Sequence, residues 1–436
     1  MLDKQSRKTF FLQGSWMLTA TMISGLLMFA VHFFGGWMTT NEYGLFVTLL
    51  QVLNIIMIPA LGLQTVFAQQ AALAKNSIDQ ANLSISIQKI SLYCIIIWGI
   101  VLLLLTANKD PILSAFKIKN PLIFYLTLII GLPQLFLPIL LGLLQGKQNF
   151  RWLGMASITN GLIRFLLIGI LVVFFGLQST GAIIGVLIGL IASCIIAIWH
   201  SRNIWSKSKI ESGNFHPNLW IRRIVPLTLG LGAGQFMLSA DMLAARSILP
   251  EGDSGPYGAA GMIGRGLVIF TAPLAAVMFP KIASSKDHLK HDILKYTVSR
   301  TAILSFTICT ICTLTALALP YITLHIDTLA KKQIIIIKIT TLIPYFIWSM
   351  LPLALANVYI AALLAKERYK GIPLLIIISI SYALALIALG YKQSTPSKET
   401  IILILGIFNL FYLVAAKYLT KKLDKPFPQP SAVPES

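Results

Sequence analysis

Apolar runs about 20 residues long recur from one end of this chain to the other, and that recurrence restricts the fold more than any other feature. A helix needs roughly 20 predominantly apolar residues to cross the hydrocarbon core of a bilayer. The rest of the chain could not shield these runs from water. Only 11% of residues are charged and 56% are hydrophobic, where a soluble domain carries roughly 25% charged residues. In lipid each backbone N–H and C=O must be satisfied within the protein, which leaves helices or closed barrels. Barrel strands would be shorter and would alternate polar with apolar residues, and these runs do neither. The sequence therefore predicts an all-α integral membrane protein of about twelve transmembrane helices. They are placed at 10–37, 44–73, 87–106, 121–144, 153–175 and 182–200, then at 224–249, 257–282, 298–319, 334–364, 372–389 and 401–419. The first run is too long for a signal-peptide core and reads as a retained span.

A net charge of +20 first suggests nucleic acid. The basic residues instead sit in short loops between apolar runs, so no nucleic-acid partner is expected. With the N-terminus placed inside, the cytoplasmic segments hold 23 Lys and Arg and the outer loops hold 8. The outer set is Lys109, Lys117, Lys119, Arg246, Lys331, Lys332, Lys392 and Lys398. By the positive-inside rule both termini are cytoplasmic. Cys94, Cys194, Cys309 and Cys312 all lie within apolar runs and read as small hydrophobes. No metal-ligand spacing is present, and neither a cofactor nor a metal is expected. The Pro-rich tail 425–436 is predicted to be disordered.

The chain matches itself at an offset of 214 residues. Tyr43-Gly44 corresponds to Tyr257-Gly258, Pro59 to Pro273, and Leu137-Pro138 to Leu351-Pro352. Six helices per half is an even number, so both halves face the same way. The expectation is two parallel six-helix repeats with a substrate path between them. The corresponding division is an N-terminal half at 1–200, a cytoplasmic linker at 201–223 and a C-terminal half at 224–424.

Charges within a span are expensive and mark function by default. Arg164 lies eleven residues into the fifth run, about 17 Å deep at 1.5 Å per residue. Asp241 and Arg265 each lie about 12 Å from the outer ends of the seventh and eighth runs. Equal depth on consecutive helices makes them an expected ion pair, either facing a cavity or simply tying the two helices together. Helical spacing aligns Ser157 and Asn160 with Arg164, and Gly14, Thr21 and Gly25 with His32. It also gives the second run a polar character through Gln51, Asn54, Gln64 and Gln69. The candidate cavity residues are Arg164, Arg265, Asp241, Asn160, His32 and Asn54. Small residues at this spacing serve helix packing equally well. With Asp241 paired, the excess deep charge is positive, which suits an anionic and in particular a phosphate-bearing substrate.

Segment 39–64 (TTNEYGLFVTLLQVLNIIMIPALGLQ) carries a Tyr-Gly after the first loop and a Leu-Gly-Leu further along. Segment 241–280 carries an Asp, then Gly255, Tyr257, Ala259 and Ala260 after a short loop, then a Pro-rich end. FGLQSTGAIIG at 175–185 forms a tight turn. These segments resemble Wzx-type polysaccharide-repeat (O-antigen/capsule) flippases of the MATE-like MOP exporter superfamily. The resemblance implies a MOP/MATE-like bundle in the bacterial inner membrane. It implies alternating access that flips polyprenyl-diphosphate-linked oligosaccharide units for surface polysaccharide biosynthesis. Arg164 and Arg265 would then meet the diphosphate or acidic sugars, with Asp241 orienting Arg265. The partners implied are the lipid-linked oligosaccharide and membrane lipids, with room for contact to a polysaccharide polymerase and other assembly proteins. Two readings from the same superfamily stay open, a cation-coupled small-molecule efflux pump and a lipid II flippase. An enzyme is not expected, because the outer loops are short and hold only scattered acids.

Overall fold

The computed structural model describes residues 4–205, 215–284, 287–324, 333–366, 369–392 and 396–423. The tail 425–436 and part of the 201–223 linker lie outside them. Every regular element among the described residues is helical. The first unit is built from α1 (Lys4–Ala30), which continues as a 3-10 segment (Val31–Trp37), and from α2 (Thr40–Ile56) and α3 (Ile58–Leu73). It continues with α4 (Ser77–Ala107), the short α5 (Lys109–Ala115), α6 (Pro121–Gly146), α7 (Phe150–Gly169), α8 (Gln178–Trp205) and α9 (Pro217–Ile248). Next comes α10 (Ser254–Ser284), whose first residues belong to the first unit and whose remainder belongs to the second. The second unit adds α11 (Asp287–Leu324), α12 (Gln333–Thr340), α13 (Ile343–Ala365) and most of α14 (Ile372–Lys392) and of α15 (Lys398–Leu423). The boundaries of the two units are 1–259 with 390–398, and 260–389 with 399–436.

Ten spans among the described residues are long and apolar enough to cross a membrane, and α2 with α3 makes an eleventh. The 32-residue α9 has the length of a span, but its glycines, Gln235 and Asp241 dilute its apolar character. The protein is thus an all-α membrane protein, and twelve spans is consistent with it. The apolar surface is turned outward, as lipid requires. On α4, Ile97 is 60% exposed and Leu103 68% exposed, which in water would be a large unfavourable surface.

Breaks in the helices have local causes. The second run, predicted as one span, bends by 45° at Met57. Pro59 sits in the first turn of α3, where its missing N–H is tolerated and where it cannot continue the ladder of α2. The tenth run is likewise two helices, with Pro344 in the first turn of α13. Caps set the starts of several spans. Thr39 Oγ1 accepts from Glu42 N (3.3 Å), Asn76 Oδ1 from Asp79 N (2.8 Å) and Asn120 Oδ1 from Leu122 N (3.0 Å), each satisfying a donor that the helix leaves open.

In the first unit α6 packs on α3, and α7 lies between α1 and α8. Close approach depends on glycine. A Cβ on Gly142 would stand 2.5 Å from the Gln64 carbonyl oxygen, and one on Gly161 3.1 Å from that of Ser24. Two interhelical hydrogen bonds lock the layer. Ser24 Oγ donates to the Ser157 carbonyl, and Ser193 Oγ to the Ala156 carbonyl, both at 2.8 Å. Helix α9 packs on α2 and α3. In the second unit α11 packs on α13, around a core of Ala275, Met278, Ile282, Leu294, Val358 and Ala362. Asn409 Nδ2 donates to the Ser349 carbonyl at 2.9 Å, tying α15 to α13.

Candidate functional site

Helix α7 presents Asn160 and Arg164 one turn apart toward α8. Gly185 and Gly189 of α8 leave the room. A Cβ at Gly189 would stand 2.9 Å from the Asn160 carbonyl oxygen and 3.0 Å from Arg164 Cβ. Gly154 on the other side of α7 meets Trp16 of α1. Asn160 is buried. Its Oδ1 and the Nε of Arg164 are both shielded from solvent and have no hydrogen-bond partner among the described residues. A guanidinium stays charged at any ordinary pH. Leaving one of its donors unpaired in a low-dielectric region opposes folding by a few kcal/mol, of order 1–3 for a polar group and more for a charged one. Such an arrangement persists when something else gains from it, which makes Asn160 and Arg164 the candidate site.

Asn54 Nδ2 donates to Gln51 Oε1 (3.2 Å) on the same face of α2, and Gln51 is buried. These amides thus face protein. His32 was expected to continue a helical stripe from Gly25. The α-helix ends at Ala30, and His32 lies in the 3-10 segment that follows. Its Nδ1 is 3.1 Å from the Tyr43 hydroxyl, and its ring sits among Phe29, Tyr43 and Phe46 at 5.9–6.2 Å between centroids. Tyr43 in turn lies against Gly35, where no side chain would fit.

Asp241 is fully buried on α9 and accepts a hydrogen bond from the Tyr257 hydroxyl at 3.1 Å. Tyr257 was not singled out as the partner of Asp241, although it lies just across a short loop and within the Gly-x-Tyr pattern. Arg265 belongs to the second unit and is also buried. Its Nη1 lies back over its own helix, 2.6 Å from where a Cβ on Gly261 would be, beside Phe346. Glycine at 261 is therefore what makes space for the guanidinium.

Arg246, counted from the sequence among loop cations, is a buried hub. It is 1% exposed and makes five hydrogen bonds. Nε donates to the Phe116 carbonyl at 2.8 Å, and Nη2 donates to that of Lys117 at 3.1 Å. Nη1 reaches Asn41 O at 3.2 Å, Asn41 Oδ1 at 2.6 Å and Ser254 Oγ at 2.8 Å. Lys117 donates to the Leu249 carbonyl, and Ser179 donates to Glu42. Lys398 pairs with Asp253 at 3.0 Å. Burial, reinforced by the Arg246 charge, pushes the Lys117 ammonium below its ordinary range. At the same end of the unit the two Tyr-Gly motifs of the internal repeat meet each other's helices. A Cβ at Gly44 would stand 2.7 Å from Gly255 N, and one at Gly258 3.2 Å from Val47 Cβ. Arg246 and the glycines thus clamp the starts of α2 and α10 and the loop before α6 into one block.

The fold has close counterparts among solved structures. An inward-facing multidrug resistance MATE family transporter of the MOP superfamily aligns with 94% of this chain and 97% of its own, at TM-score 0.72 and 13% identity. An outward-facing form of such a transporter gives 0.67 at 13% identity, over 94% of both chains. A MOP superfamily transporter from Pyrococcus furiosus gives 0.61 at 12% identity, also over 94% of both. The fold is therefore that of a MOP-superfamily transporter. Within that class the sequence matches the family profile described as "Polysaccharide biosynthesis protein" over residues 12–286, and the chain belongs to that family. Both longer segments that carried the resemblance, 39–64 and 241–280, fall inside the matched range. No curated protein matches the sequence significantly.

Proposed function

We propose that this protein flips polyprenyl-diphosphate-linked oligosaccharide units across the bacterial inner membrane for surface polysaccharide biosynthesis, by alternating access and without covalent catalysis. The observation that carries the reading is the Arg164 guanidinium, whose Nε is shielded and unpaired among the described residues, with Asn160 one turn before it, in a chain of the polysaccharide biosynthesis family. A delocalised cation with unused donors fits phosphate oxygens, which accept several hydrogen bonds at once. Arg265 supplies a further guanidinium, itself buried. In this reading the halves 1–200 and 224–424 rock about a shared path, with the 201–223 linker and both termini in the cytoplasm. The lipid tail stays in the bilayer while the head group crosses.

The test is deletion of the gene in its own host, followed by extraction of polyprenyl-linked oligosaccharides and surface polymer. Complete lipid-linked units accumulate on the cytoplasmic side and polymer is lost. Wild-type protein restores polymer, and Arg164→Ala, expressed at a normal level, does not. Unchanged polymer and intermediates on deletion would overturn the proposal and favour small-molecule efflux.

A further inference from the structure

The first unit contains a cavity of about 300 Å³ at the end opposite the Arg246 block, between the C-terminal end of α3 and the N-terminal ends of α4 and α9. Gln70, Asp79, Asn82, Ser86, His216 and Trp220 are among its lining residues. Local sequence explains their positions. Asp79 occupies the first turn of α4, where its own N–H is capped by Asn76 and a carboxylate is favoured by the helix dipole. Ser86 Oγ donates to the Asn82 carbonyl, and their spacing of four, with Asp79 three before Asn82, puts these residues on one side of α4. Trp220 is buried and braced by Phe67, with ring centroids 4.8 Å apart.

Three of these groups are unused. The half-buried Asp79 carboxylate and Gln70 amide, and the exposed His216 ring, make no hydrogen bond or ion pair among the described residues. They come from α3, from α4 and from the residue that precedes α9, and share one cavity. A carboxylate beside an amide and an imidazole can accept and donate to hydroxyl groups, and a fixed indole offers an apolar edge. The carboxylate repels phosphate, while Leu73, Leu83 and Leu219 beside Trp220 give an apolar edge of the kind the C–H face of a sugar ring packs on. Uncharged polyhydroxyl compounds fit these conditions, and the volume matches small-ligand pockets, which begin near 300 Å³.

We infer that this cavity is a sugar subsite that takes an uncharged sugar residue of the oligosaccharide head group before it is moved. The inference rests on the flippase reading above and adds a place where the sugar, rather than the diphosphate, is recognised. By charge bias the cavity lies on the cytoplasmic side, among Lys75, Lys147, Arg222 and Arg223, where a lipid-linked unit is first met. The arrangement separates two tasks. Arginine deep in the helices meets the group common to all polyprenyl-diphosphate substrates, and the cavity reads the variable glycan.

The experiment uses the full chain in lipid nanodiscs, with oligosaccharide released by mild acid from the host's own surface polymer as the probe. Calorimetric titration of wild type gives saturable binding. Asp79→Asn and, on a different helix, Gln70→Ala each weaken it at least tenfold while melting within a few degrees of wild type. In the deletion host, Asp79→Asn lowers polymer output and lets lipid-linked units accumulate. Wild-type affinity in both cavity variants overturns the subsite, as does absence of probe binding to wild type together with full polymer output from Asp79→Asn. Either result leaves the flippase reading standing if deletion itself abolishes polymer. Saturation by magnesium ions with no response to the probe would overturn the subsite in favour of a cation site.

Discussion

Replacing Arg246 with alanine removes a single side chain and leaves acceptors on three chain segments without their donor. Taken one at a time, hydrogen bonds from a charged donor contribute about 1.5–3 kcal/mol each. Five such bonds would exceed what truncations remove, because contributions within one network are not additive. Water also enters the vacated space. The Phe116 and Lys117 carbonyls lie in a loop that water can reach, whereas Ser254 and Arg246 itself are buried. A loss of about 3–4 kcal/mol is the expected net effect. One kcal/mol shifts the melting midpoint of a 150–250-residue domain by about 2–4 °C and that of a chain of 436 residues by about 1 °C, so the midpoint falls by roughly 3–4 °C. The Lys variant keeps the charge but has three donors in place of a planar fork of five. It recovers about half of the loss. The assay is thermal unfolding of detergent-purified protein at a fixed scan rate, since membrane proteins of this size unfold irreversibly and the midpoint depends on the rate. An Ala variant that melts within 1 °C of wild type would refute the reasoning, because it would mean that the five bonds exchange for water at no net change.

Three further outcomes follow from the same end of the first unit. Gly44→Val forces a side chain into the backbone of Ser254 and Gly255, with Gly255 N 2.7 Å from the new Cβ; it destabilises by about 1–3 kcal/mol, read as lower yield of monodisperse protein on size-exclusion chromatography. Tyr257→Phe removes a donor from the buried Asp241 carboxylate; it lowers the melting midpoint by an amount corresponding to about 1–3 kcal/mol, and Tyr257→Leu, which also loses the ring packing, lowers it further. Lys117 is held below its ordinary range, so between that depressed value and about 10.4 the unfolded chain binds more protons than the native one. Stability therefore rises with pH across this window, and comparison of melting midpoints from pH 8 to 10 shows a steeper rise in wild type than in Lys117→Gln.

The helical membrane architecture was legible in the sequence because hydropathy is a property of a short window. Whether 20 residues can sit in lipid depends on those residues alone, and the predicted runs coincide with the helices even where their ends differ. Single deep charges were legible for the same reason, since Arg164, Asp241 and Arg265 stand out against an apolar background. The bend at Met57 was half-legible: Pro59 was noted as a repeat position, but its effect on one long run was not drawn. The 3-10 segment that carries His32 was not foreseen, because apolar sequence continues through it unchanged and nothing in a hydropathy window distinguishes one helical pitch from another.

Partners were decided by tertiary structure. Arg246 looked like any loop cation until α9 brought it against Asn41, 205 residues away, and against Phe116, 130 residues away. Gly44 and Gly255 looked like a motif and its distant echo until packing placed one backbone against the other. The cavity that gathers Gln70, Asp79 and His216 combines three helices, none of which is unusual alone. The sequence by itself showed which segments are apolar enough to enter a membrane, because transfer into lipid is a local free energy. Which donor meets which acceptor was settled only in three dimensions, because a hydrogen bond is made within about 3 Å and the separations that bring atoms that close here run to hundreds of residues.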